Sequence, residues 1–290
     1  MVSMNRLSRD RRIRILRALV EGNSIASTCR MVEVSKNTVL KLLEDAGFAC
    51  FEYQDRELRD IPARRVQCDE IWAFVHAKQK HVPEERRGEP GIGDVWTWTA
   101  LDADSKLMIA WWVGDRNAAT ANTFMQDVAS RLTQRVQLTT DGHKPYLEAV
   151  EGAFGADIDY AQLIKQYGEE PNPEKRYSPA VCTGTETRVV MGDPDKRHIS
   201  TSYGERSNLS IRMQNRRFTR LTNAFSKKME NLAHSVSLYF MFYNFARPHR
   251  TLGGDTPAMA AGISDHVWMI GEIVDMIDAA DAEPADFIIG

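Results

Sequence analysis

The chain has 290 residues, 43% of them hydrophobic and 27% charged, with a formal net charge of -3. That balance is globular rather than disordered, and no apolar run approaches the roughly 18 residues of a membrane span. Arginines from Arg6 onward lead into no apolar leader segment, so a secretory signal is not expected. Cys29, Cys50, Cys68 and Cys182 lie far apart without Cys-x-x-Cys spacing. This argues against a zinc finger and a disulfide framework and suits a reducing cytoplasm.

In chain order, Ser8 to Val20 places Ile13, Leu16 and Val20 at helical spacing among arginines. Gly22-Asn23 stops that helix, and Ser24 caps a short second helix to about Met31. Ser35 caps a third, with Val39, Leu42 and Leu43 on one face and Gly47 as its end. A short helix, a tight turn and a helix opening on polar residues read as a helix-turn-helix over residues 1–50. Ser35, Lys36, Asn37, Thr38 and Lys41 are its expected DNA contacts. A plain three-helix bundle is the alternative; Arg9, Arg11, Arg12, Arg14 and Arg30 favour DNA. Residues 51–65, mixed in charge, read as a linker.

Gln67 to Val75 alternates as a strand, which puts Asp69 and Glu70 on opposite faces, so regular strand does not aim both into one site. Val95 to Asp102 and Lys106 to Gly114 complete an antiparallel meander whose tryptophans belong to the core. A helix follows over Ala118 to Leu132. Val136 to Thr140 is then a short strand ending in Asp141-Gly142, an acid where open sheets place their chemistry. Next come a helix over Pro145 to Phe154 and a strand over Asp157 to Tyr167. Val82 to Gly93, Gly168 to Pro173 and Ser178 to Thr187 read as irregular connections. A helix from near Ser202 carries Glu205, Asn208, Leu209, Arg212 and Arg216 on one face. This is the element order of an RNase H-like domain. The fold class expected is therefore α/β: a mixed-sheet, RNase H-like catalytic domain over 66–260, preceded by an all-α helix-turn-helix domain.

Charge is uneven along the chain. Lys196 to Lys228 holds nine Lys or Arg and one acid, Glu205, while no Lys or Arg follows Arg250. The basic run suits a polyanion. The acidic residues from Asp265 onward form a tail, 261–290, with a short helix expected around Val267 to Ile277. Deleting 265–290 is expected to tighten non-specific DNA binding. Three carboxylates, Asp69, Asp141 and Glu205, meeting across the sheet would repel one another without a cation, and all-oxygen ligands select Mg²⁺ or Mn²⁺.

At Cys68-Asp69-Glu70-Ile71-Trp72, Thr140-Asp141-Gly142 and Glu205-Arg206-Ser207-Asn208-Leu209, the chain resembles a DDE transposase of the retroviral-integrase superfamily, specifically the insertion-sequence-one family. Arg220-Leu221-Thr222, Tyr243-Asn244, Arg247-Pro248-His249 and Thr256-Pro257-Ala258 extend the likeness over most of 66–260. The resemblance implies two Mg²⁺ or Mn²⁺ ions on Asp69, Asp141 and Glu205, which are the catalytic residues. It further implies cleavage and strand transfer at the terminal inverted repeats of an insertion sequence, and a double-stranded target DNA. Asn208, Arg212, Arg216, Arg217 and Arg220 are the expected phosphate contacts. A homo-oligomer of at least two chains in the bacterial cytoplasm, beside the nucleoid, is implied as well. Two departures stand out. No zinc-binding element opens the chain, and the stretch between Asp141 and Glu205 is long, which leaves Glu186 and Glu230 as competitors for the third acid. His143, beside Asp141-Gly142, reads as a surface-loop residue, with contact to the scissile region as the alternative. The rival functions are a helix-turn-helix regulator with an inactive domain, which would bind DNA without cutting, and a structure-selective nuclease, which would cut without joining.

Overall fold

The computed structural model describes residues 7–89, 91–168, 182–219 and 222–280. Among them the helices are α1 (Arg9–Val20), α2 (Ile25–Val32), α3 (Lys36–Glu57), α4 (Ala118–Ser130), α5 (Pro145–Phe154), α6 (Ser202–Gln214), α7 (Met229–Met241), α8 (Pro257–Ala260) and α9 (Ile270–Ala280). The strands are β1 (Arg65–Val75), β2 (Gly93–Asp102), β3 (Met108–Gly114), β4 (Val136–Thr140), β5 (Ile158–Tyr167) and β6 (Cys182–Met191). They form one mixed six-stranded sheet in the order β3-β2-β1-β4-β5-β6. β1, β4 and β5 run parallel in succession, and β6 is antiparallel to β5. The fold is mixed α/β. No described helix is long and apolar enough to cross a membrane.

The chain forms two compact units. One comprises the described parts of 1–59, 72–97 and 208–290; the other comprises 60–71 and the described parts of 98–207. In the first unit, α1, α2 and α3 each start behind a serine whose hydroxyl accepts a first-turn N–H: Ser8 from Arg11, Ser24 from Ser27, and Ser35 from Thr38. Ile15, Leu16, Val39 and Leu43 are buried beneath them. Gly47 does not end the third helix, and the expected linker from residue 51 is helical as far as Glu57. The glycine marks a crossing instead. A Cβ on Gly47 would lie 2.4 Å from His234 Cβ of α7, and Ser237 Oγ of α7 donates to Gly47 O at 2.7 Å. Farther along, Gln54 Nε2 donates to Ser237 O at 3.2 Å. A residue chosen for close backbone approach was read from sequence as a stop.

The acidic segment also docks in this unit. α9 buries Ile270, Ile273, Val274 and Ile277. Its Asp275 takes two hydrogen bonds from Arg9 at 2.6 Å, and its Asp278 takes two from Arg12 at 2.5 and 2.8 Å. Two arginines counted toward DNA are thereby matched by acids of the chain itself.

In the second unit, α4 and α5 pack together, with Trp98, Phe124, Met125, Tyr146, Val150 and Tyr160 fully buried. Trp98 meets the expectation of a core tryptophan, whereas Trp112 is exposed. The stretch Ser178 to Thr187, read as irregular, is strand from Cys182 on. β6 lies on the sheet's edge and is exposed over most of its length, so it lacks the apolar alternation that announces a half-buried strand. Its hydrogen bonds to β5 hold it in place nonetheless.

Candidate active site

The site is built where β4 ends beside the middle of β1. Arg65, Val66 and Gln67 of β1 lie opposite Gln137, Leu138 and Thr139 of β4. β4 stops at Thr140, so Asp141 emerges beside the part of β1 that carries Asp69 and Glu70. One oxygen each of Asp69, Glu70 and Asp141 falls within 4.8 Å of the other two. The expectation that strand alternation separates Asp69 from Glu70 is overturned. Pairing with β4 extends only to Gln67, so the next residues are released from the paired pleat on that side. Asp69 also bends back along its own strand, its Oδ1 accepting the Glu70 N–H at 2.8 Å.

Glu70 is buried, and Arg116 holds it: Nε donates to Glu70 Oε2 at 3.0 Å, while the same guanidinium reaches Asp141 Oδ2 at 3.2 Å. Burial first, and then the neighbouring Asp141 charge, push the Glu70 carboxyl up to about 7, against the pull of Tyr146 and Arg116. Glu70 Oε1, the Tyr146 hydroxyl and His143 Nε2 are all buried without a hydrogen-bond partner. Tyr146 and Glu70 interact electrostatically without reaching ordinary hydrogen-bond geometry. His143 lies in the loop after β4, as read, but is half-buried. Its ring packs 5.8 Å from that of Trp98 and 6.0 Å from that of Tyr146, and burial lowers its pKa. Its backbone N–H donates to Asp141 Oδ1 at 2.9 Å, fixing the turn after β4.

Glu205 stands in the first turn of α6, whose start is tied to β1. Gln67 Oε1 accepts the N–H groups of Tyr203 and Gly204 at 2.9 and 3.1 Å, satisfying helix-end donors. A Cβ on Gly204 would sit 3.5 Å from Asp69 Cβ. The next residue's carboxylate is nevertheless engaged elsewhere: Glu205 Oε1 accepts from Thr201 Oγ1 at 2.5 Å and pairs with Lys165. It is not part of the close acidic group. Of its competitors, Glu186 lies exposed on β6 opposite Ile164, and Glu230 in the first turn of α7. Glu70, Arg116, Tyr146 and Lys165 escaped the sequence reading. The adjacent Asp69-Glu70 pair was the available signal for Glu70; the cations carried none.

The donor set, oxygen-only and anionic, fits a hard divalent cation. Three carboxylates crowd one guanidinium, and the unpartnered, buried Glu70 Oε1 is the atom such an ion would satisfy.

The expected DNA contacts divide. Lys36 and Asn37 are exposed at the start of α3. Ser35 Oγ and Thr38 Oγ1 bond each other at 2.8 Å, and Lys41 pairs with Asp45 at 2.7 Å. Asn208 is buried, while Arg212 and Arg216 are half-buried. Arg217 is enclosed by protein, and its desolvation lowers the guanidinium pKa to about 10. Arg220 lies outside the described residues.

No family model matches the chain, and no curated protein matches it. Among solved structures, a paired-end complex of the Mos1 transposase with the left transposon end is similar at 16% identity, covering 55% of this chain and 60% of that one, with a TM-score of 0.22. A pre-cleavage Mos1 transpososome is similar at 10% identity, covering 99% and 83%, with a TM-score of 0.29. A piggyBac transposase synaptic complex with hairpin DNA is similar at 10% identity, covering 91% and 60%, with a TM-score of 0.29. The chain thus spans less than two thirds of the first and third.

Proposed function

We propose that this protein is a DNA transposase with an RNase H-like catalytic core, of the insertion-sequence-one type that its motifs resemble. The observation that carries the reading is the meeting of Asp69, within β1, and Asp141, just past the end of the parallel strand β4. The first turn of α6, bearing Glu205, packs against Asp69.

Asp69 and Asp141 are the fixed carboxylates of a site for two Mg²⁺ or Mn²⁺ ions, and Glu205 supplies the third on the strength of the motif. When bound, such ions lower the pKa of an attacking water and stabilise the departing 3′ oxygen. The chain's residues do the rest. The carboxylates concentrate negative charge at one point. Gln67 orients the helix start that carries Glu205, and Arg116 keeps Glu70 and Asp141 together. Arg212 and Arg216 neutralise DNA phosphates, while Lys36 and Asn37 are exposed to reach base edges in a groove. The freed 3′ hydroxyl of an element end then attacks target DNA in line, which requires positioning more than covalent chemistry by the protein. Two element ends call for at least two chains on DNA.

One observation favours a second reading. Lys165 on Glu205 and Arg116 across Glu70 and Asp141 occupy carboxylates with internal cations, as a helix-turn-helix regulator with a silent catalytic domain would.

The test incubates the purified chain with Mn²⁺ or Mg²⁺, its flanking DNA ends and a plasmid, beside D141N. Joined product that vanishes in D141N supports the transposase. Cleavage without joining indicates a nuclease, and binding without either product indicates the regulator.

A further inference from the structure

The first compact unit contains a cavity of about 690 Å³, walled by residues of α1, α2 and α3 and by Gln214–Arg217, Thr222–Lys227 and part of α7. Its volume falls within the roughly 300–1,000 Å³ of small-molecule sites. The described lining includes Lys36, Arg216, Arg217 and Lys227 and no Asp or Glu. Four cations with no carboxylate among them bias the space toward an anion.

Arg217 is the centre of this bias. Its Nε donates to Asn231 O at 3.1 Å, and no described carboxylate pairs with the guanidinium. It retains some solvent exposure although protein surrounds it. Two further lining groups, the Tyr239 hydroxyl and Ser226 Oγ, are buried and have no hydrogen-bond partner. Buried polar atoms are normally satisfied, so these two hydroxyls mark imperfect packing in the cavity wall. The rest of the wall is apolar: Leu19, Ile25, Leu40 and Phe225 leave surface half-covered. The Phe225 ring is backed by Phe74 at 4.9 Å.

We propose that this cavity binds one nucleotide, its phosphate held by the lining cations, Arg217 foremost, and its base lodged against Leu40 and Phe225. A guanidinium fork matches phosphate oxygens, and an aromatic ring accepts any base face. The nucleotide is either a free mononucleotide or one unit of a DNA strand turned out of its stack. This site is separate from the acidic one and stands whether or not the chain joins DNA.

The experiment titrates the full chain calorimetrically with deoxyadenosine 5′-monophosphate, then with deoxyadenosine and with inorganic phosphate. Binding of the monophosphate at one site per chain, at least about tenfold tighter than either fragment, is expected. R217Q should weaken it about tenfold or more. A224W, which fills the cavity from its wall and leaves every lining cation in the sequence, should abolish it, and this variant decides the matter if R217Q does not fold. A short single-stranded oligonucleotide that displaces the monophosphate identifies a DNA unit as the occupant; failure to displace identifies a free nucleotide. Equal binding of nucleoside and monophosphate, binding unchanged in A224W, or no binding of the monophosphate would overturn the proposal.

Discussion

The acidic cluster and the basic cavity are opposites in sign and differ in how far the protein satisfies them. Asp69, Glu70 and Asp141 crowd together, yet Arg116 spans two of them. Arg217 has no described acid to answer it, only a carbonyl. Both places leave buried polar atoms unpartnered: Glu70 Oε1 in one, the hydroxyls of Tyr239 and Ser226 in the other. Burial of a single sign costs stability unless something neutralises it. On the proposed reading, the uncompensated sign selects the ligand, a cation beside Asp69 and Asp141 and an anion in the cavity. The partial internal compensation by Arg116 makes the acidic site tolerable without its ion.

The largest expected effect is on the acids. D141N removes one fixed ligand and should weaken Mn²⁺ binding by more than about a hundredfold, beyond what loss of an outer-shell partner does. R116M would strip the acidic site of its internal cation and make it as uncompensated as the cavity. It should lower stability by about 1–3 kcal/mol without divalent ions. The added thermal stabilisation by Mn²⁺ should then exceed that of the parent protein, and an equal increment in both would break the comparison. D278A carries the logic to the α1–α9 pairing, where acid and base match. Freeing buried Arg12 should cost about 1–2 kcal/mol in urea unfolding and tighten non-specific DNA binding at low salt.

The smallest effect is a pH dependence at the start of α9. His266 bonds to Asp265 at 2.6 Å and to Glu272 at 2.8 Å, which raise its pKa above 6.5. A histidine raised in the folded state contributes stability below its unfolded value and loses it as pH climbs through the folded one. The protection of α9 amides, with base-catalysed intrinsic exchange divided out, should therefore fall slightly above pH 6.5, the histidine's ordinary value. In H266Q that dependence should disappear.

What the sequence disclosed follows from which forces are local. Asp141 was legible because a short apolar strand ending in Asp-Gly is a local pattern, and the serine caps of the second and third helices were legible for the same reason. Glu70 was misplaced because alternation is a rule of fully paired strand, and pairing of β1 with β4 ends two residues before Asp69. Gly47 misled because close approach to His234 is a tertiary fact. The pairing of Arg9 with Asp275 spans 266 positions, beyond any periodicity, and β6 has no buried face to betray it. Arg116 and Lys165 act through distant carboxylates, so neither carries a local mark.

The most direct test of the central claim is calorimetric titration of Mn²⁺ into the purified chain, its D69N and D141N variants, and E70Q and E205Q. Saturable binding that is lost in both aspartate variants, and weakened in whichever glutamate variant removes the third ligand, is the predicted result. Binding that is equal in the parent protein, D69N and D141N, or absent from all of them, would contradict the reading of the acidic cluster as a cation site.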